Sequence, residues 1–294
     1  MNRKDFISTM SIFTTLGLIN PISKLNQLIQ DLDNSDPMPL FFFGHGSPMN
    51  AIESNQFTRK WNEIGSNLPK PKAIICISAH WETKGSYVTA MEYPKTIHDF
   101  GGFPDELYRV QYPAPGSPEL AQNVINHVTN TTIGSDLNWG LDHGCWSVVK
   151  HLYPNADIPI IQLSIDYTKD VEYHYRLAKE ISALRSKGIL IIGSGNIVHN
   201  LRLIAWDKAN ESNYAYDWAT EANNKMIEYI LSGDYQPLIE YQKQGRAFQL
   251  AIPTPEHYIP LIYTLGLKND SEKVSIFNNE ALMGSITMTS VMIT

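Results

Sequence analysis

Ala73-Ile74-Ile75-Cys76-Ile77-Ser78-Ala79-His80 runs through apolar, largely β-branched residues and ends on a histidine. A run of strand length without polar alternation fits a β-strand covered on both faces, as in a parallel sheet. Outward from it, runs of the same kind recur at 39–43, 158–165 and 189–192. The stretches 55–68, 117–130, 169–187 and 211–231 have helix-forming composition and periodicity. This alternation predicts an α/β fold, a single domain with a largely parallel central sheet flanked by helices. The segments 274–277 and 285–293 are read as further strands, antiparallel at one edge.

Three of the nine histidines stand directly beyond such runs. His45 lies in Gly44-His45-Gly46-Ser47-Pro48, His80 closes the opening run, and His199 follows Gly193-Ser194-Gly195-Asn196-Ile197-Val198. In open α/β sheets, sites form outside the carboxyl ends of the strands, so these three side chains are expected on one face. A fourth, His257, sits in Pro253-Thr254-Pro255-Glu256-His257-Tyr258, where Thr254 is read as capping a helix that begins at Pro255. A fifth, His143, lies in the glycine-flanked Gly140-Leu141-Asp142-His143-Gly144. Neutral imidazoles converging at strand ends suit zinc or iron, and three protein ligands with a vacant position describe a catalytic site. His127, His151 and His174 are assigned to the surface by default. His98 is the exception, because Asp99-Phe100-Gly101-Gly102-Phe103-Pro104 follows it.

Composition narrows the classes. At 294 residues with 43% hydrophobic and 18% charged side chains, the chain can bury a full core. A net charge of −7 supplies no field for nucleic acid, which is excluded as a partner. The only two cysteines, Cys76 and Cys145, support neither a disulfide framework nor a Cys-rich zinc module. Gly193-Ser194-Gly195 lacks the third glycine of a dinucleotide turn, with Val198 in its place, and no Gly-x-Ser-x-Gly elbow surrounds Ser47 or Ser194. Met283, Met288 and Met292 read as core fillers.

Residues 1 to 37 stand apart. Arg3 and Lys4 precede a mildly apolar stretch over 7–19, interrupted by Ser8, Thr9, Ser11, Thr14 and Thr15. It is read either as a degenerate twin-arginine-like export signal or as an amphipathic N-terminal helix, with Asn34-Ser35-Asp36-Pro37 as a linker. No segment is apolar enough to span a bilayer, and a cytoplasmic location is expected, with export through that signal as the alternative. The domain is placed at 38–294; nothing in the sequence sets an oligomeric state.

Six stretches, in this order, resemble the class III (LigB-type) extradiol ring-cleavage dioxygenases, in their DOPA 4,5-extradiol dioxygenase branch. They are 44–49, 78–81, 98–104, 141–144, 193–200 and 253–258. The resemblance runs from about Met38 to the C-terminus. It implies a divalent metal held by His45, His80 and His257, with Glu256 the alternative third ligand because protocatechuate-type members use a glutamate there. It further implies that His199 is the acid/base histidine or a fourth ligand, and that His143 is a second histidine near the substrate oxygens. Iron(II) is expected for oxygen chemistry, with zinc(II) an occupant of the isolated protein. The substrates implied are a small aromatic diol, a DOPA-like catechol, and O2. His98 is assigned to substrate binding, while Trp81, Phe100, Phe103 and Tyr258 either wall the substrate or fill the core. The alternative function is a zinc-dependent hydrolase or a non-enzymatic metal-binding interaction protein on the same fold.

Overall fold

The computed structural model describes residues 36–294. The expected export signal or N-terminal helix falls outside the described residues. Six strands build the central sheet: β1 (Leu40–Gly44), β2 (Ala73–Ser78), β3 (Ile160–Gln162), β4 (Ile189–Gly195), β5 (Val274–Phe277) and β6 (Ser290–Ile293). Their spatial order is β3-β2-β4-β1-β6-β5. The first four run parallel, while β6 is antiparallel to both β1 and β5, so the C-terminal strands close one edge as the sequence suggests.

Alternate side chains of the parallel strands enter two different cores, which explains why their sequences carry polar residues only toward their carboxyl ends. On one face Leu40, Phe42, Ile75, Ile77, Ile189 and Ile191 pack with apolar residues of α2 (Pro118–His127), α4 (Val171–Ile181), α5 (Asp217–Ser232) and α6 (Ile259–Gly266). On the other, Phe41, Phe43, Ile74, Cys76, Leu190 and Ile192 meet α1 (Gln56–Asn67) and α3 (His143–Leu152). There Phe43 stands edge-on to Trp61 at 6.1 Å. Fully burying one such side chain contributes about 1.5–3 kcal/mol. Residues Asp36–Thr294 cluster as one unit, and its first buried residue, Met38, is tied down by Arg185, whose Nε–H donates to the Met38 carbonyl at 2.8 Å. No helix among the described residues is long and apolar enough to cross a membrane.

Several element boundaries differ from the sequence expectation, each for a local reason. The run 158–165 leaves the sheet after Gln162, because the Ser164 N–H turns to the Tyr87 carbonyl and Ile165 pairs with Glu82. The helix expected over 169–187 ends as an α-helix at Ile181 and tightens into a 3-10 turn. There the Ser182 hydroxyl donates to the Lys179 carbonyl. Residues 211–216 are not helical; Ala215 bridges to Gly284, and α5 starts only at Asp217. The segment 285–293 splits into Ile286–Thr287, paired with Ala281–Leu282, and β6. His174, assigned to the surface, is fully buried: it shares an α4 face with Val171, Ala178 and Ile181, and its Nδ1 lies 3.1 Å from the Tyr263 hydroxyl.

Candidate active site

The carboxyl ends of β1, β2 and β4 bring their histidines together. His45 follows β1 directly, and its N–H donates to the Gly195 carbonyl at the end of β4, 3.0 Å away. His80 turns off β2, where the Ala79 N–H is held by the Ser194 carbonyl. His143 does not sit in a loop but opens α3, with Asp142 as its N-cap. Gly144 allows that helix to approach β2, since a Cβ there would lie 2.4 Å from the Ser78 hydroxyl. His199 lies beyond β4, its N–H bonded to the Ala251 carbonyl.

The helix expected to begin at Pro255 is a correction. The helix starts at Ile259, with Pro260 in its first turn, and His257 stands in the turn before it. Thr254 does not cap; its hydroxyl donates to Glu256 Oε1 at 2.9 Å. The His257 carbonyl is committed to the Asn196 N–H at 2.9 Å, which draws the turn onto the end of β4. Only glycine fits beneath it, because a Cβ on Gly195 would lie 2.1 Å from that carbonyl oxygen.

Hydrogen bonds fix which ring nitrogens face inward. The Ser194 hydroxyl donates its one proton to the Gly144 carbonyl at 2.5 Å, so toward His45 Nδ1, 3.0 Å away, it acts as acceptor. His45 therefore carries its proton on Nδ1, and its Nε2 lone pair is free. Asp99 does the same for His143, whose Nδ1 lies 2.9 Å from its Oδ2, and that oxygen also faces His80 Nδ1 at 3.4 Å. Its Oδ1 accepts the His143 N–H at 2.9 Å. The Nε2 lone pair of His45 then faces His80 Nε2 at 3.1 Å, and with the His80 proton on the nitrogen that faces Asp99 two lone pairs meet there. Facing lone pairs repel unless a proton or a cation lies between them. Two imidazole ligands about 2.0–2.1 Å from one ion sit roughly 3 Å apart, so the spacing fits a shared metal. His257 adds a buried Nδ1 with no hydrogen-bond partner, and one ligand atom from each of these three histidines lies within 4.8 Å of the others.

Charge agrees with this geometry. Burial, reinforced by the neighbouring imidazoles, holds His45 and His257 well below the ordinary histidine range. Burial and then His143 bring His80 down to about 3, against the pull of Asp99, and burial brings His199 down to about 4. These four rings are neutral at neutral pH, the state a ligand or a base requires. Burial works to raise Asp99, but the hydrogen bond and charge of His143 outweigh it and hold that carboxyl low. Asp142, fully buried, accepts from Ser78 and Gln162 at 2.6 Å each, tying the end of β2 to the start of α3.

Around the rings opens a cavity of about 390 Å3 whose floor is His45, His80, His143, His199 and His257. His199 stacks on His257 with centroids 3.5 Å apart. The Glu256 carboxylate groups with His199 and His257, not with His45 and His80. Of the aromatic residues singled out in the sequence, Phe103 lines the cavity and Phe100 packs edge-on to His143 at 5.6 Å. Trp81, His98 and Tyr258 do not line it, a correction to their assignment at the substrate. Trp81 stacks on Trp139 at 5.8 Å, His98 Nε2 is bonded to the Val110 carbonyl at 2.9 Å, and the Tyr258 hydroxyl donates to the Leu238 carbonyl. Sequence reasoning passed over Asp99, although it stands inside a quoted motif, and over the far wall of Leu201, Ile204, Trp206, Leu282 and Met283. Asp99 carries a signal, a carboxylate beside a candidate histidine and two glycines, as Asp142 does beside His143; the wall residues carry none.

A family model described as the catalytic LigB subunit of aromatic ring-opening dioxygenase matches residues 41–291. A 4,5-DOPA dioxygenase extradiol of Escherichia coli (strain K12) is 44% identical over 279 residues, covering 92% of this chain and 100% of its own length. A protein of the same name from Beta vulgaris is 37% identical over 247 residues, covering 81% and 90%. The crystal structure of an uncharacterized Escherichia coli K12 protein superposes with a TM-score of 0.75 at 42% identity, covering 87% of this chain and 100% of that one. All six motifs and all five clustered histidines fall within the matched span, and the chain belongs to the LigB family of aromatic ring-opening dioxygenases.

Proposed function

We propose that this chain opens the ring of a catechol outside its two hydroxyls, using O2. In this assignment the divalent metal that the family implies is iron(II), held by His45, His80 and His257. What supports the ligand set above all is the pair of Nε2 atoms facing each other 3.1 Å apart, since Ser194 holds the His45 proton on Nδ1 and Asp99 faces Nδ1 of His80. When bound, iron(II) supplies Lewis acidity toward the diol oxygens and the redox capacity that O2 requires, which zinc lacks.

The chain's own residues supply the rest. His199, kept neutral by burial beside the ligand set, accepts a proton from a catechol hydroxyl. His143 is turned by Asp99 so that its Nδ1–H points away from the cavity and its Nε2 is left to hold or return a proton at a substrate oxygen. Phe103 and the opposite apolar wall position the ring and keep water from the reacting atoms. We place the catalytic domain at 38–294, with residues 1 to 37 outside it.

Anaerobic loading with iron(II), followed by catechol and a measured pulse of O2, tests the assignment. One O2 consumed per catechol with a yellow ring-opened product is expected, and none from the zinc-loaded protein. Equal turnover with zinc, or no oxygen uptake from any catechol under iron(II), overturns it.

A further inference from the structure

The floor of the cavity carries nitrogen, but its walls carry carbon. Among the described residues, no Lys, Arg, Asp or Glu side chain lines the cavity. The carboxylates nearest the ring nitrogens, Asp99 and Glu256, are both acidic, so neither offers a partner to a substrate anion. The lip adds exposed apolar side chains to the apolar wall, with Arg202 between two of them. Of the eight large apolar side chains exposed among the described residues, three, Leu201, Leu203 and Trp206, fall within six residues of chain, at 58%, 39% and 73% exposure. Leu201 and Trp206 both line the cavity, so this exposed group is continuous with it.

We infer that the natural catechol carries an uncharged, apolar ring substituent that lies against Leu201, Ile204, Trp206 and Met283, rather than the amino-acid side chain named for the relatives. This rests on the catechol-opening activity proposed above. A cavity of about 390 Å3 has room for more than the diol ring. A carboxylate drawn into that room gives up part of its water and meets no Lys or Arg among the lining residues, Arg202 standing outside them on the exposed turn, and a desolvated charge left unpaired is disfavoured. An alkyl or aryl group in the same place gains contact with the wall and covers the exposed Trp206. Selectivity here is thus set by what the site withholds from a charged substituent as much as by what it gives an apolar one.

A matched series decides the matter: 4-propylcatechol, dopamine, 3-(3,4-dihydroxyphenyl)propanoate and DOPA, with unsubstituted catechol as reference. Each is assayed on the iron(II)-loaded full chain and, by calorimetric titration, on the zinc-loaded one. The expected result is a kcat/KM for 4-propylcatechol at least about tenfold above that for the propanoate or DOPA, with the same order in the titration. The substitution Trp206→Ala, at an exposed position that folding does not depend on, is expected to shrink the propyl-to-propanoate ratio roughly fivefold or more. Trp206→Arg, which places a cation at the lip, is expected to move it further toward the propanoate. If DOPA or the propanoate equals or exceeds 4-propylcatechol while catechol itself is opened, the inference fails and the catechol-opening function stands. If neither catechol nor any member of the series is opened or bound, the function proposed above fails and the inference with it.

Discussion

The floor and the lip of the cavity are built on opposite plans. On the floor, every histidine is wholly or largely buried, and His45, His80 and His143 are oriented by a hydroxyl or a carboxylate behind them. At the lip, Leu201 and Trp206 stand in solvent on short 3-10 turns, and no side-chain hydrogen bond fixes either of them. Preorganisation is concentrated where protons and a metal have to be placed, because imidazole direction decides whether a lone pair is available. Apolar contact at the lip tolerates looser placement, since it depends on area rather than angle.

Breaking the floor is expected to give the largest effects. In His45→Ala, His80→Ala and His257→Ala, bound metal and turnover are expected to fall together, the metal content to below about one tenth of the wild-type value; Glu256→Gln is expected to be far milder. Full metal in His257→Ala with loss in Glu256→Gln, measured by elemental analysis, shifts the third ligand to Glu256. Next comes His199→Gln, expected to keep its metal while single-turnover rate drops by about 10² to 10⁴. Loss of metal in that sample makes His199 a ligand, and an unchanged rate removes it from the mechanism.

Asp99→Asn tests whether orientation from behind the floor matters as argued. An amide keeps the size but weakens the hold on both His80 and His143, so metal affinity or kcat is expected to fall by about 10–100-fold. If metal affinity and turnover are both unchanged, those two rings are oriented by packing alone. This loss is expected to exceed that of any single lip substitution, and the reverse order undoes the contrast between the two regions.

Far from both regions, Arg185 is buried, bonded to the Met38 and Leu267 carbonyls, and paired with Glu272. Burial pushes the Glu272 carboxyl up, but the Arg185 hydrogen bonds and the Asn269 N–H outweigh it and hold it below its ordinary range. A carboxyl depressed in the folded state stabilises fully above its unfolded-state pKa and loses that contribution as pH falls through its folded value. Glu272→Gln is therefore expected to cost up to about 3 kcal/mol near neutral pH, with the gap to wild type closing in acid below about pH 4. A gap that stays constant from pH 7 to pH 3 in chemical denaturation means the pair contributes through shape and not charge. The smallest effect is expected from removing residues 1–36, which leaves Met38 and its bond to Arg185 in place. Metal content and unfolding midpoint are expected within error of the full chain, and an insoluble truncation places the domain boundary earlier.

The sheet was legible because strands buried on both faces leave unbroken apolar runs, and His45, His80 and His199 were legible because they stand beyond those runs. Hydrogen-bond partners are not encoded that way, so 158–165 read as one strand although its second half pairs with Glu82. Pro255 carried a sound local signal for a helix start, but a contact some sixty residues away, from Asn196 to the His257 carbonyl, decided the turn. The role of Asp99 is not marked in the sequence, because a carboxylate acting through other side chains shows its role only in three dimensions. Leu201, Ile204 and Trp206 follow no helical or strand period, so nothing in the chain marked them as a wall.

The strand order also governs when the protein comes into being. β1, whose end supplies His45, lies between β4 and β6, the last of the sheet's strands in sequence. At about 5–20 residues per second, a ribosome needs roughly 12–50 s to travel from the codon for His45 to that last strand. During that interval the nascent chain carries its first histidines without the neighbours that bury them, and His257 joins only after β4 has been made. The histidine cluster is therefore completed late, and the timing of its assembly is written into the topology.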